Sequence, residues 1–465
     1  MTPESSFPPH HPENNTRTDL ISAHVFPETR REPCEETPAL RTPPYEGDDA
    51  CRQTPTATMT EPKSWMYTLC MTLATMVGGL SSVCIKQLLL PIQVSLLAPT
   101  TTNASFTLVA SVGACAGLIA APFTGALSDR TSMRWGRRRP WIIVGTIATV
   151  AGMVIMAGAP TIPALLLGEI IAQIGVDTIL TTVTALLPDQ IPLSQRSLLS
   201  ALVGLAPNVG GVLGLVLVTR LTNTHIVSEG YILLAAISVV CVVCFLVFLR
   251  EQPITRDAFR PFQIKRFLLE FMQPLTSSDF VYVFLSRCFV YLSFTILGAY
   301  LLFYLRGVLY FSIPDAAAGV TTFQLLSTGI LLAVAVSTGM LSQRLKQLKP
   351  FAFLGAILMA VSLFLMAMLP TWFALLVSAS IFGCGFGLYL GVDIALAVRV
   401  LPSETHRGKD VGLMYAAIFL ALILSPLIGG LVFQSSHNNF ALLFTLAAAS
   451  SLLAAGLILP IKSVR

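Results

Sequence analysis

The chain has 465 residues, of which 54% are hydrophobic and only 11% charged. Soluble domains carry about 25% charged residues, so this balance excludes an ordinary soluble globular protein and points to a chain that crosses a bilayer many times. The formal net charge of +5 combines −6 over residues 1–62 with +11 over residues 63–465; that basic excess is confined to short loops, which marks membrane topology rather than a nucleic-acid footprint, and no nucleic-acid partner is expected.

Residues 1–62 hold eleven prolines, five Arg and eleven Asp or Glu. This composition predicts a disordered cytoplasmic tail. It has no basic start followed by an apolar core, as a cleaved secretory signal would. Met59, in MTEPKSWMYT just ahead of the first apolar segment, is an alternative initiator.

From Trp65 onward twelve apolar segments follow, at 65–96, 103–127, 140–159, 162–187, 195–219, 229–249, 280–305, 313–341, 350–369, 372–400, 409–433 and 439–461. Each reaches the ~20 residues needed to span a hydrocarbon core. The first is too long for a straight span, and Pro91 is expected to kink or end it. The loops after even-numbered segments, with the C-terminus, hold 19 Lys and Arg, against two (Arg220 and Arg306) after odd-numbered ones. The positive-inside rule then places both termini in the cytoplasm. The expected setting is the plasma membrane, as a monomer in the lipid bilayer.

The second half of the chain repeats the first. GVDTILTTVTALLP at 175–188 returns as GVDIALAVRVLP at 391–402, APNVGG at 206–211 as SPLIGG at 425–430, and GALSDR at 125–130 as GMLSQR at 339–344. The predicted fold is an all-α membrane protein of twelve transmembrane helices in two pseudo-symmetric six-helix halves, 63–249 and 280–465. They are joined by a basic, partly amphipathic linker at 250–279, expected to lie along the cytoplasmic membrane surface.

The loop GALSDRTSMRWGRRRP at 125–140 packs Asp129, Arg130, Arg134, Arg137, Arg138 and Arg139 into eleven residues. Its Gly125, Asp129, Arg130, Gly136, Arg137 and Arg138 resemble the loop between the second and third helices of the major facilitator superfamily. The longer spacing from Arg130 to Gly136 and the closing Arg-Arg-Arg-Pro resemble the sucrose:proton and glycoside–pentoside–hexuronide:cation symporters. The resemblance implies an inner gate in which Asp129 caps the start of the eleventh helix and Arg130 ties to the fourth helix or its following loop, with Asp189 as a plausible partner. It also implies two halves rocking about a site at the membrane midplane, lined by helices 1, 4, 7 and 10.

Ionisable groups at membrane depth are costly and mark function by default. Five are expected, and all fall on those four helices: Lys86, Glu169, Asp177, Arg287 and Asp393. In the fourth segment Glu169, Gln173, Asp177 and Thr181 form one polar stripe at helical spacing. Tyr291 joins Arg287, and Tyr389 joins Asp393. One shared polar cavity is expected from these side chains, with hydroxyls and carboxylates suited to sugar hydroxyls. Arg287 has an alternative role as a static partner of Asp177 or Asp393, Lys86 as an interfacial residue, and the Asp177–Asp393 pair as a structural or gating device. A carboxylate buried without a fixed cation exchanges protons near neutrality, which favours Glu169 as proton carrier and Asp177 as second choice.

Two Pro-x-x-Gly-Gly turns, Pro207 with Gly210 and Gly211 and Pro426 with Gly429 and Gly430, are expected to bend and closely pack their helices. They echo a signature of the superfamily's drug antiporters, although Ala206 and Ser425 replace its first glycine. The function expected is proton-coupled uptake of a sugar or glycoside by alternating access, with proton-driven efflux of amphipathic compounds as the alternative and sodium as an alternative ion. Phosphate loops, clustered Cys/His ligands and nucleophile–base spacings are lacking in the sequence, so neither an enzyme, a metal site nor a cofactor is expected. Cys241-x-x-Cys244 lies within an apolar run and reads as packing.

Overall fold

A computed structural model describes residues 63–131, 133, 135–221, 226–249, 251, 277–400, 407–436 and 439–461. The expected tail and nearly all of the linker lie outside the described residues. Twelve helices are long and apolar enough to cross a membrane. They are α1 (Trp65–Leu97), α2 (Thr102–Ser128), α3 (Arg139–Ala157), α4 (Ile162–Gln190), α5 (Leu193–Leu221), α6 (Ile226–Phe248), α7 (Ser278–Gly307), α8 (Ile313–Leu345), α9 (Lys349–Met368), α10 (Trp372–Arg399), α11 (Arg407–Ser435) and α12 (Phe440–Ile458). Four begin on a side-chain cap that satisfies a free N–H of the first turn: Ser64 accepts from Tyr67, Ser312 from Asp315, Thr371 from Ala374 and Asn439 from Leu442.

Burial separates inner from outer helices. The apolar windows of α1, α4, α7 and α10 are 61, 61, 72 and 56% buried, whereas the other eight reach 33–50%. The outer helices turn large apolar side chains outward, such as Ile147, Val247, Phe364 and Leu431, which suits a lipid surface. Three of these inner helices carry Glu169, Asp177, Arg287 and Asp393, all buried, and α1 carries the half-buried Lys86.

Lipid is as apolar as the helix surfaces, so close packing has to hold such a bundle together. The first Pro-x-x-Gly-Gly turn supplies it between α1 and α5. A Cβ at Gly79 would overlap the Pro207 carbonyl, one at Gly210 the Met76 carbonyl, and one at Gly211 would fall 2.8 Å from Val83. The second turn is used differently. Gly429 lies against the Tyr300 ring and Gly430 against Thr107, while the Pro426 carbonyl accepts from Thr107 Oγ1 at 3.0 Å and Tyr300 Oη at 3.1 Å. It therefore joins α11 to α2 and α7, across the two halves.

Helix α1 does not end at Pro91. A π-helical turn spans Ile85–Leu89, and the helix resumes through Leu97. The Leu90 N–H bonds to the Ile85 carbonyl, five residues back. Proline lacks the N–H that would continue the ordinary ladder, and the wider turn accommodates one extra residue at that point. It carries Lys86 and Gln87.

Among the described residues, hydrogen bonds cross between the halves toward the face opposite the basic loops. Besides Thr107 to Pro426, they join Ser111 to the Ile423 carbonyl (3.3 Å), Arg306 to Ser95 (3.1 Å) and Thr321 to Thr219 (3.5 Å). Phe106 of α2 packs edge-on against Tyr300 and Phe303 of α7 at 5.6 and 5.2 Å. The halves are closed together on that face.

Gly79→Val should abolish most folded protein, because the α1–α5 backbones cannot separate without opening the first half. Gly204→Ala, with nothing within 4 Å of its Cβ position, should be silent. Yield and monodispersity on size exclusion check both.

Candidate substrate and coupling site

The five charges are parted into two clusters, one in each half. In the first, Glu169 and Asp177 are 2% and 6% exposed. The expected stripe of α4 is one face, and it lies along small residues of α2. Glu169 packs over Gly113, Asp177 and Gln173 over Gly117, and Thr181 Cγ2 lies 3.5 Å from the Cβ position of Gly125. A side chain at Gly113 or Gly117 would displace the carboxylates. Gln173 Nε2 donates to Asp177 Oδ2 at 2.8 Å, while Glu169 Oε1 has no hydrogen-bond partner. Lys86 is half-buried on the π-turn of α1 in the same half.

In the second half Arg287 pairs with Asp393 at 3.2 Å, the two side chains being 5% and 1% exposed. The guanidinium lies between two rings, 5.7 Å from the centre of Tyr291 and 5.4 Å from that of Tyr415. These cation–π contacts offset part of the cost of burying it. Tyr389 Oη, one turn before Asp393, has no hydrogen-bond partner. Of the roles weighed for Arg287, the geometry gives the ion pair with Asp393. Asp177 and Asp393, equivalent in the repeat, have different partners.

The residues expected to share one polar cavity are not those that line the cleft described between the halves. A narrow cleft between the halves is lined by Gln87, Asn208 and Gln324, the hydroxyls of Ser327 and Thr328, and Phe294, Phe323, Phe382 and Phe386. Lys86, Gln173, Arg287, Tyr291, Tyr389 and Asp393 are not among its walls. The physical reason is the desolvation cost of charge. The buried carboxylates and Arg287 are packed within their own halves, which leaves neutral amides to face the gap. Gln87 touches the cleft through Gly298, against which its Nε2 is packed. Phe294 stacks on Phe386 at 4.6 Å and Tyr291 meets Phe386 edge-on at 5.7 Å, so the aromatic wall leans on the Arg287 cluster. Sequence reasoning passed over these residues because amides and phenylalanines carry no charge. The available signal was Gln324 and Thr328, with Ser327, on one face of an otherwise apolar helix.

The basic loop folds into a compact knot around Arg138, which is 4% exposed. Its guanidinium meets Asp129 at 2.5 Å, Asp189 at 3.2 Å and Ser128 Oγ at 2.6 Å. Arg137 also pairs with Asp189. Asp189 is therefore held by Arg137 and Arg138, where the sequence reading set it against Arg130. The side chains at the start of α11 lie outside the described residues, and with them the expected cap by Asp129. Gly136 has φ +105°, a conformation only glycine adopts freely. It sits against Glu251, which the sequence reading missed. Glu251 accepts from the backbone N–H groups of Arg138 and Arg139 at 2.9 and 3.0 Å. A carboxylate at a helix N-terminus is favoured by the helix dipole, so Glu251 ties the end of α6 to the start of α3. Its signal was an acid placed at the end of an apolar segment. Gly125 has ordinary contacts only.

The sequence profile described as Major Facilitator Superfamily matches residues 69–404 and, in a second alignment, 283–464. No curated protein matches the chain. Among solved structures, a mutant of the nucleoside transporter NupG superposes with a TM-score of 0.67 at 14% identity, covering 85% of this chain and 99% of that one. The xylose transporter XylE from E. coli, in a partially occluded inward-open conformation, gives 0.63 at 16% identity, with 84% and 95% covered. The human organic anion transporter MFSD10 gives 0.64 at 17%, with 86% and 100% covered. At these identities the likeness is one of fold.

Arg287→Gln alone should cost about 3–5 kcal/mol, because it leaves Asp393 buried and unpaired. Arg287→Gln with Asp393→Asn should recover most of that loss in a thermal-unfolding assay. Gly136→Ala should reduce folded protein or transport through its strained backbone and its clash with Glu251, whereas Gly125→Ala should have little effect on either.

Proposed function

The chain belongs to the Major Facilitator Superfamily and is a multi-pass membrane transporter, and from that premise we propose that it takes up a neutral polyhydroxylated solute, a sugar or glycoside, together with protons. The observation that carries this reading is the cleft between the halves. Three primary amides, each with a donor and an acceptor end, match the adjacent hydroxyls of a sugar ring. Phenyl faces match its apolar C–H faces. A cleft with no charged wall gives an ionic substrate no counter-ion.

Charge balance supports proton coupling. Among the described residues at membrane depth, three carboxylates (Glu169, Asp177 and Asp393) stand against two cations (Lys86 and Arg287). Arg287 is committed to Asp393. Lys86 is the one described cation at membrane depth in the half that holds Glu169 and Asp177, so one proton brings that set to neutrality. A buried site moves through its cycle at lowest cost when neutral. Of the two acids, Asp177 is hydrogen-bonded to Gln173 and Glu169 Oε1 is not, which favours Glu169 as the proton carrier.

With the basic loops in the cytoplasm, the closed face is the outer one and the conformation is inward-facing. Both termini are then cytoplasmic, in the plasma membrane of a monomeric carrier. Closing the inner side would draw on the knot of Asp129, Arg130, Arg137, Arg138 and Asp189 as the inner gate. The Pro426 turn, bonded across the halves, would then bend or release as the outer seal opens.

The test is external pH in lightly buffered, de-energised cells as mono- and disaccharides are added. One sugar should cause transient alkalinisation. Glu169→Gln should abolish that signal and uphill accumulation while sparing exchange. Gln324→Ala should raise KM about tenfold, the equivalent of one hydrogen bond of about 1.4 kcal/mol. Silence across the panel, with expression verified, would overturn sugar uptake and favour efflux of amphipathic compounds, which the four phenylalanines of the cleft would also suit.

A further inference from the structure

A groove of about 640 Å³ runs along the outer surface of the first half, between α3 and α6. Both are outer helices, with a third of their apolar windows buried. Ile147, Val150 and Val154 of α3 and Val239, Val243 and Leu246 of α6 line it. Val242 lies fully buried in it, and Ile147, Val154 and Val243 are exposed along it. Its one polar side chain, Thr146, donates to the Ile142 carbonyl of its own helix at 2.7 Å. The groove therefore offers its occupant no polar group along its length.

Dimensions narrow the choice of occupant. From Ile143 to Ile155 the groove follows α3 for ~18 Å at 1.5 Å per residue. That exceeds the ~15 Å of hydrocarbon in one leaflet, half of a ~30 Å core. A helix of that length and ~10 Å across occupies ~1,400 Å³, more than twice the space present. An acyl chain is both thin and long enough. It leaves one apolar surrounding for another on entering, so the walls alone do not choose between lipids. The choice falls to the headgroup.

The end of the groove nearest the basic loop is marked by charge. Arg139, the first residue of α3 and half-buried, donates from Nη2 to the carbonyl of Leu246, itself a wall residue, at 3.1 Å. Among the described residues its guanidinium makes no other hydrogen bond and no ion pair, whereas Arg137 and Arg138 are held by Asp129 and Asp189. Glu251 accepts from the backbone N–H groups of Arg138 and Arg139, not from this guanidinium. A guanidinium carries five N–H donors in a fork that fits a phosphate, and here one is used. In sequence the basic loop and the residues closing α6 hold six arginines (130, 134, 137, 138, 139 and 250) against Asp129, Glu251 and the neighbouring Asp189. That corner has an excess of positive charge. A second copy of the chain docked here side by side would bring the same excess against it.

We propose that the groove between α3 and α6 binds an anionic phospholipid, with an acyl chain lying along Val150 and Val243 and the phosphate paired with Arg139. With the basic loops in the cytoplasm, the site opens to the leaflet that is rich in anionic lipid. The bound lipid lies across the same two helices that Glu251 ties together, so it stabilises the joint between α3 and α6 by binding the folded form alone.

Native mass spectrometry of the detergent-purified full-length protein tests this, with dioleoyl phosphatidylglycerol and dioleoyl phosphatidylcholine titrated separately. Phosphatidylglycerol should bind more tightly than phosphatidylcholine. Arg139→Gln should weaken phosphatidylglycerol about fivefold, the share of one basic residue at an anionic headgroup, and leave phosphatidylcholine nearly unchanged. Arg139→Lys should keep most of the preference. Val243→Trp, at an exposed apolar position, should fold normally and weaken both lipids by filling the groove. Equal affinity of the parent for the two lipids would overturn the proposal, as would phosphatidylglycerol binding that neither Arg139→Gln nor Val243→Trp reduces. Displacement of the lipid by glycerol 1-phosphate at equal concentration would assign the arginine to a free phosphate instead. A dimer that Val243→Trp dissociates would assign the groove to a second copy, and either result overturns the lipid site.

Discussion

The cost of an ionised side chain in a hydrocarbon interior governs the inside of this protein. Water is not available there to solvate a charge, so each one must meet an opposite charge, a ring face or a hydrogen-bond donor. Arg287 meets all but the last, between Asp393, Tyr291 and Tyr415. Asp177 accepts from Gln173, and Glu169 Oε1 is left without a hydrogen-bond partner. With the buried charges packed within the halves, the gap between them is left to amides, hydroxyls and phenyl rings. A neutral interface can separate and re-form without stripping an ion of its partner.

The same constraint makes the two halves unequal despite their common pattern. The first cluster has one carboxylate more than it has cations and the second is balanced. The Pro-x-x-Gly-Gly turns diverge in parallel. The turn at Pro207 locks α5 onto α1 within a half, and the turn at Pro426 accepts hydrogen bonds from α2 and α7. A carrier needs one part that stays rigid and one that breaks and re-forms. The first copy of the repeat has the features of the rigid part, and the second stands at the seam.

Two local departures from regular backbone fall where side chains matter. The π-turn in α1 carries Lys86 and the adjacent Gln87, whose amide reaches the cleft. Gly136 takes a backbone conformation closed to other residues and lets Glu251 reach the start of α3. The basic loop is thereby anchored to α6 as well as to Asp189, which makes it a structural joint of the first half as well as a marker of topology.

Much of this was legible in the chain itself. Apolar length set the number of helices and loop charge set their alternation. The internal repeat defined two halves, and the rarity of intramembrane charge singled out Lys86, Glu169, Asp177, Arg287 and Asp393. Those signals are local or one-dimensional, as bilayer thickness and desolvation cost act on each segment separately. Only the tertiary structure decided who meets whom: Arg287 with Asp393, Asp189 with Arg137 and Arg138, Glu251 with the start of α3. It also showed that the cleft is walled by Gln87, Asn208, Gln324 and phenylalanines. Uncharged residues leave no mark in an apolar sequence, and their role arises when helices far apart in the chain are packed side by side.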